Sequence, residues 1–533
     1  MVDTKKEQER DELHRAIWAI ADELRGAVDG WDFKNYVLGT MFYRYISENL
    51  ANYINEGENR AGAIDFDYAA MSDEDAQEAK EGLVQEKGFF ILPSELFCNV
   101  VTKASTGESW THDNGKEKLL NEKLEEVFRH IEESAIGSES ESNFAGLFDD
   151  FDVNSNKLGA TVAKRNEKLT KLLTGVAAMK LGDVKDHSID AFGDAYEYLM
   201  TMYASNAGKS GGEFFTPADV SELLTRLGTV GKTQVNKVYD PCCGSGGLLL
   251  KAEKVLGKDG IRNGYFGQEI NITTYNLARI NMFLHDVEFD KFDIACENTL
   301  TAPQHWDDEP FELIVSNPPY SIKWAGDDDA TLINDPRFAP AGVLAPKSKA
   351  DMAFIMHCLS WLAPNGTASI VCFPGVLYRG GSEQKIRKYL VENNFIDCII
   401  QLPSNLFFGT SIATCIMVMK KNKADTSVLF IDATSECVKV TNNNKLTKEN
   451  INNIVKLYID RTNVDHKARL VSKEEVKEND YNLSVSTFVE AEDTREEVDI
   501  TKLNKEIEEI VKKEQMLRED IAKIIKEIEV SNE

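Results

Sequence analysis

The chain has 533 residues, 42% of them hydrophobic, and a formal net charge of −29. A single core rarely grows past about 250–300 residues, so two to four domains are expected. The apolar runs fall far short of the roughly 20 residues that a bilayer demands, and the first residues, "MVDTKKEQERDELHR", hold no apolar signal core. A cytoplasmic protein without a membrane contact is expected. Nine cysteines with no CxxC pair fit buried reduced thiols, and no metal site is expected. A protein that grips nucleic-acid phosphates alone usually shows a basic face. This acidic chain either avoids nucleic acid or shares the contact with a basic partner.

Residues 11–50 read as helical, because Leu13, Ile17, Ile20, Leu24 and Val28 recur at spacings of three and four. "WDFKNYVLGTMFYRYISENL" continues with a second apolar face, and the acidic stretch beyond it is mostly helix-like. Residues 1–170 are therefore taken as an α-helical N-terminal domain. From about His187 the texture changes. Short apolar runs, "KVYD", "GYFGQEI", "FDIACEN", "FELIVSN", "ASIVCFP", "DCIIQL" and "ATCIMVMKK", alternate with helical segments. That alternation predicts an α/β domain over 171–475, with a mostly parallel, Rossmann-like sheet and a final antiparallel pair from the last two runs. In the tail, 476–533, Leu503, Ile507, Ile510, Leu517, Ile521, Ile524 and Ile528 fall on a heptad seam that Glu514 interrupts. Such an amphipathic C-terminal helix needs a partner, inside the chain or outside it.

Three stretches carry chemistry. "VYDPCCGSGGLLL" (238–250) reads as strand, glycine-rich turn and helix start, which frees backbone N–H groups for a polar ligand. The dinucleotide pattern G-x-G-x-x-G fails at Leu249, and an ordinary βα turn is the alternative. Glu269 closes the next strand-like run, where such folds bind ribose hydroxyls; a solvated cap acid is the alternative. "GKS" (208–210) and "GKT" (231–233) resemble phosphate-loop ends, but Tyr203 and Arg226 stand where that loop needs glycine, which argues against an ATPase. The third stretch is "IVSNPPYSIKW" (314–324). It follows the fourth strand-like run, at the edge where open α/β sheets bind ligands. Adjacent prolines stiffen the backbone and remove N–H donors. The Asn317 amide oxygen and the Pro318 carbonyl can then accept from one amino group, and Tyr320 offers a flat face. A duplex base reaches such a pocket only by flipping out. A plain loop is the alternative.

Together these runs resemble an amino-DNA methyltransferase that uses S-adenosylmethionine. More closely, they resemble the modification subunit of type I restriction–modification systems. The matching runs are "VDGWDFKNYVLG", "NAGKSGGEFFTP", "DPCCGSGG", "GQEIN", "NPPYS" and "KADMAF", in the family's order over residues 28–354. The resemblance implies that Glu213, Phe214, Phe215, Thr216, Pro217 and Ala218 pack on the methionine end of the cofactor. It implies that Asp240 and the turn Gly244, Ser245, Gly246 and Gly247 hold the amino-acid end, and that Glu269 takes the ribose. Asp293 and Asn298 are candidates for the adenine ring of the cofactor. The resemblance also implies that Asn317, Pro318, Pro319 and Tyr320 hold the target adenine for N6 methylation; cytosine N4 and a catalytically silent structural subunit are the alternatives. Cys242 and Cys243 depart from the family's small alanines. The implied partners are a specificity subunit that binds two methyltransferase subunits, a restriction subunit that carries ATPase and nuclease, and double-stranded DNA with a flipped adenine. The stretch after about Lys420 is short for a base-reading module, so none is expected there, in agreement with that division.

Overall fold

Leu13, Ile17 and Ile20 are buried along one side of helix α1 (Val2–Leu24), as their spacing predicts. Helix α2 (Gly30–Arg60) is more apolar still, and Val37, Leu38, Met41, Phe42, Tyr43 and Ile46 are all buried in its middle. Helices α3 (Phe97–Thr106), α4 (Leu120–Ser134), α5 (Val162–Ala178) and α6 (Ala191–Asn206) are the other long helices of this region, with shorter ones between them. These elements come from a computed structural model that describes residues 2–24, 30–181, 191–206, 216–407, 411–440, 443–492 and 500–530. Residues Met1–Val489 form one unit and Glu490–Glu533 a second.

The first unit is built on a nine-stranded sheet. Its strands are β1 (Val238–Asp240), β2 (Tyr265–Glu269), β3 (Phe292–Cys296), β4 (Phe311–Ser316), β5 (Leu362–Cys372), β6 (Ile396–Gln401), β7 (Cys415–Lys420), β8 (Val428–Asp432) and β9 (Ala468–Val471). Their order is β9-β8-β6-β7-β5-β4-β1-β2-β3. The run from β3 to β5 is parallel, and β7 lies antiparallel between β5 and β6. The predicted antiparallel pair, β6 and β7, is present, but it is not the last. β8 joins parallel to β6 and β9 antiparallel to β8, two short strands that the sequence reading passed over.

Both sheet faces are covered, which is why the strands read as continuous apolar runs. Leu313 and Val315 of β4 pack into one layer and Ile314 into the other; Ile416 and Val418 of β7 oppose Cys415, Met417 and Met419 in the same way. The first layer includes α7 (Ala218–Gly228), α8 (Gly247–Leu256), α9 (Ile272–Leu284) and the N-terminal helices, joined in one apolar cluster. The second holds α10 (Asp351–Trp361) and α11 (Ser382–Glu392). No helix among the described residues is long and apolar enough to cross a membrane.

The second unit is helix α13 (Ile500–Val530); α12 (Lys448–Asp460) precedes it in the first unit. Leu503, Ile507, Ile510, Leu517, Ile521 and Ile524 of its seam are all exposed. Glu514, which breaks the seam, pairs with Arg518 one turn on, at 2.7 Å. The side chain of Ile528 lies outside the described residues.

One buried arginine ties the helical region to the sheet. Arg279 on α9 is 1% exposed. Its Nη1 donates to the carbonyls of Ser142 and Ala145 at 2.8 and 2.9 Å, and Nη2 donates to Asn276 Oδ1 at 2.6 Å. Arg279→Ala strips two carbonyls of their donor and opens a cavity, so it should lower stability by about 3–5 kcal/mol. Chemical denaturation followed by circular dichroism reads this directly, and an unchanged midpoint would show the tie to be dispensable.

Candidate functional site

A cavity of about 290 Å³ opens at the carboxyl ends of β1, β2 and β4. There the chain has gone from β1 out to β3 and returned to β4 on the other side of β1, the switch point where open α/β sheets bind ligands. Its wall includes Thr216, Asp240, Gly244, Ser245, Gly247, Glu269, Asn298, Asn317 and Pro319. Pro217 caps α7 and Ala218 is the first residue of that helix. Gly246 caps α8, Pro318 is buried, and Tyr320 is half-buried beside the cavity. Glu213, Phe214 and Phe215 lie outside the described residues. Asp293 is not brought to the cavity. It is the second residue of β3, with Oδ2 3.6 Å from His305 Nδ1, whereas Asn298 lies past the strand's carboxyl end, where the wall is.

The glycine turn is tight because the backbone goes left-handed at Gly244 and Gly246, with φ of 53° and 79°. The Cys243 N–H donates to the Gln268 carbonyl at 3.1 Å, which presses the turn onto β2. A Cβ at Gly267 would lie 2.9 Å from both Cβ and Sγ of Cys243, so β2 needs glycine at that point. Burial raises the thiols of Cys242 and Cys243 well above the ordinary range, with Asp240 and Glu269 adding to the effect. Both therefore stay protonated at neutral pH and lack thiolate reactivity.

The acids of the wall are unusually placed. Asp240 is fully buried; its Oδ1 accepts from the Cys242 N–H at 3.0 Å and the Ser316 hydroxyl at 2.7 Å, and Oδ2 has no partner. Burial pushes its carboxyl up to about 7, with Glu269 adding repulsion against the pull of those two hydrogen bonds. Glu269 is also raised by burial; its oxygens accept from the Gly244 N–H at 3.1 Å and the Asn271 N–H at 2.8 Å. With Glu297, three carboxylates and one lysine, Lys323, line the cavity. Such a wall suits a ligand that carries positive charge.

Asn317 sits where two motifs meet. Its Nδ2 donates to Thr216 Oγ1 at 3.1 Å, and its Oδ1 accepts from the Tyr320 hydroxyl at 2.6 Å. The amide is thus oriented with its oxygen towards Tyr320. The Tyr320 ring lies 6.5 Å from that of Phe373. Ser321 holds a left-handed backbone, φ 52°, a conformation that a non-glycine residue seldom adopts. The Ser321 N–H donates to both carboxylate oxygens of Asp351 at 3.1 Å. That contact explains physically why "KADMAF" accompanies "NPPYS".

Sequence reasoning missed several wall residues and their supports. Glu297 and Trp324 line the cavity, as does Gln268, whose Oε1 accepts from the Gln304 N–H at 3.2 Å. Arg337, 1% exposed, donates to the carbonyls of Thr299 and Leu300 at 2.7 and 2.8 Å and so fixes the wall after β3. Glu297 was accessible to a rule that looks just past each strand's carboxyl end. Arg337 was not, because nothing local marks it.

Comparison with known proteins gives the family. The profile of the family described as N-6 DNA Methylase matches residues 187–497, and that of the HsdM N-terminal domain matches residues 13–176. The chain is 48% identical over 543 residues to the type I restriction enzyme MpnII methylase subunit of Mycoplasma pneumoniae, across 99% of this chain and 98% of that one. The MjaVII methylase subunit of Methanocaldococcus jannaschii is 28% identical, across 98% of this chain and 85% of its own length. Among solved structures, a type I restriction-modification system methyltransferase subunit from Streptococcus thermophilus matches with a TM-score of 0.79 at 36% identity, covering 90% of this chain and 100% of that one. Helical region and sheet are matched together, and the chain belongs to the N-6 DNA methylases, among the methylase subunits of type I restriction enzymes.

Proposed function

We propose that the cavity binds S-adenosylmethionine and that the chain methylates N6 of an adenine turned out of double-stranded DNA, at a sequence chosen by a separate specificity subunit. The observation that carries this reading is the partnerless Oδ2 of Asp240, an acceptor buried in the wall of a cavity on which the glycine turn, Glu269 and Asn317 converge. A buried acceptor without a donor is costly, and a cationic amino group would satisfy it. The cofactor, when bound, supplies an activated sulfonium methyl. In this reading Asp240 and Gly244–Gly247 hold its amino-acid end, Glu269 its ribose and Asn298 its adenine ring. Thr216, Pro217 and Ala218 pack on the methionine end. Asp293 is set aside in favour of Asn298 because it stands at the wrong end of β3.

The Asn317 amide oxygen and the Pro318 carbonyl accept from the exocyclic amine of the target, with Pro319 stiffening the loop and Tyr320 against the base. The Tyr320 hydroxyl, now on Asn317 Oδ1, must yield that acceptor to the amine. Two acceptors on the amine raise electron density at its nitrogen, and Asp351 keeps the loop in place. Positioning and electrostatics of this kind are what methyl transfer asks of a protein.

In this function the chain works as three segments: a helical domain over 1–170, a catalytic domain over 171–475 and a tail over 476–533. The exposed seam of α13 supports an outside partner, a specificity subunit that holds two copies of this chain and joins a restriction subunit. A net charge of −29 supports the same division, since the phosphates must be met largely by another surface.

Burial holds Asp240 at about 7 against an ordinary 3.8. Its contribution to stability is therefore full below about pH 4 and is lost as pH rises through 7. Asp240→Asn keeps an acceptor for Cys242 and Ser316. It should make the ligand-free protein more stable than wild type at pH 8 and weaken cofactor binding by about tenfold or more, ~1.4 kcal/mol. Thermal scans at acid and alkaline pH with calorimetric titration test this; unchanged affinity would remove Asp240 from the site. Asn317→Ala should abolish adenine methylation and leave cofactor affinity within about twofold, since in this reading the amide touches only the base. Methylation at the wild-type rate would reduce the loop to a turn. Deleting residues 499–533 should reduce assembly with the specificity subunit while cofactor binding persists, read by light scattering of co-purified protein. An undiminished complex would exclude the tail from the interface.

A further inference from the structure

The chain carries 89 acidic residues against 60 Lys and Arg, yet residues 336–390 hold seven Lys and Arg against two acids, Asp351 and Glu383. This basic tract surrounds the loop that follows Asn317. Several of its cations are already engaged. Arg337 and Arg387 are 1% exposed and donate to carbonyls inside the fold. Lys347 pairs with Asp328, Arg379 lies 3.5 Å from Glu383, and Lys388 sits over the Tyr481 ring. Lys349 and Lys385 remain, and Lys323 joins them from the cavity mouth. Lys323 and Lys385 are exposed, and neither forms an ion pair with a described residue.

The fold brings the segments that carry these three close together. The Ala350 N–H donates to the Ile322 carbonyl at 2.9 Å and the Trp324 N–H to the Lys347 carbonyl at 3.1 Å, so residues 322–324 run beside 347–350. Lys323 and Lys349 thus lie on adjacent chain segments. Glu383, in the first turn of α11, is within electrostatic reach of Lys349 and Asp351, so the start of the helix that carries the exposed Lys385 lies close to this segment. Ser382 and Lys347 line one groove between them. A target base that enters beside Asn317 brings its flanking phosphates to this mouth, because flipping turns the nucleotide about its own backbone.

We propose that Lys323, Lys349 and Lys385 bind the phosphates of the target strand on either side of the flipped adenine, with Lys323 nearest the cavity. The proposal deepens the methylase reading and rests on it. It makes these lysines the chain's own share of a DNA contact that its overall charge opposes.

The test uses the full chain co-purified with its specificity subunit, bound to a duplex that carries its methylation site, across a NaCl series. Each phosphate contact adds about 0.9 to the slope of log affinity against log salt. The double variant K349Q/K385Q leaves the cavity wall intact; it should lower the slope by about 1.8 and leave calorimetric cofactor affinity unchanged. Adding K323Q should remove about 0.9 more, with methylation falling at subsaturating DNA and recovering as DNA is raised. A wild-type slope in both variants, with wild-type adenine methylation intact, would overturn the phosphate contacts alone. No adenine methylation by the wild-type complex would overturn the methylase reading and the contacts with it.

Discussion

The hydroxyl of Ser316 donates to Asp240 at 2.7 Å, from the last residue of β4 to the last residue of β1. These two strands are neighbours paired at Val238 with Leu313 and Tyr239 with Ile314. Beyond that pairing the chain diverges, into the glycine turn on one side and into Asn317 on the other. Backbone hydrogen bonds cannot bridge loops that part, so a side chain does. Both residues are fully buried, which gives the contact a strength that it would lack in water. The two halves of the cavity are therefore registered to one another at this contact, and each half is held from behind by its own supports.

Those supports follow one pattern. A buried or half-buried side chain reaches to main-chain groups of a segment that has no regular structure. Asp351 takes the Ser321 N–H, Arg337 takes the carbonyls of Thr299 and Leu300, and Glu269 takes the N–H groups of Gly244 and Asn271. Main-chain groups are the same whatever residue carries them. The loops can thus vary in side chain and keep their path, and irregular backbone is satisfied without helix or strand. The arrangement leaves Asp240 Oδ2 as the unsatisfied acceptor of the wall, a group that is expensive alone and useful with a cationic ligand.

Much of this was legible in the sequence because it is local. The glycine turn, the strand-end Glu269 and the stiff Asn317–Tyr320 loop are each defined by neighbours in the chain, and the order of the runs gave their common site. The helical N-terminal region was legible from its spacing. Strands β8 and β9 were not, since "VLFID" and "ARLV" are short and flanked by polar residues, and their place depends on pairing with distant β6 and with each other. Asp293 and Asn298 could not be separated until the end of β3 was known, because a shift of a few residues moves a side chain from one end of a strand to the other. Arg279 and Arg337 act over long separations in sequence and carry no local signature.

The closeness of the glycine turn to β2 has an evolutionary consequence. Gly267 is closed to any side chain while position 243 bears one, since the two Cβ atoms would stand 2.9 Å apart. Position 243 must lose its side chain before position 267 can gain one, and the reverse order passes through a clash. The pair thus constrains the order in which the two positions can drift, and it makes the history of substitutions at the turn matter as much as their identity.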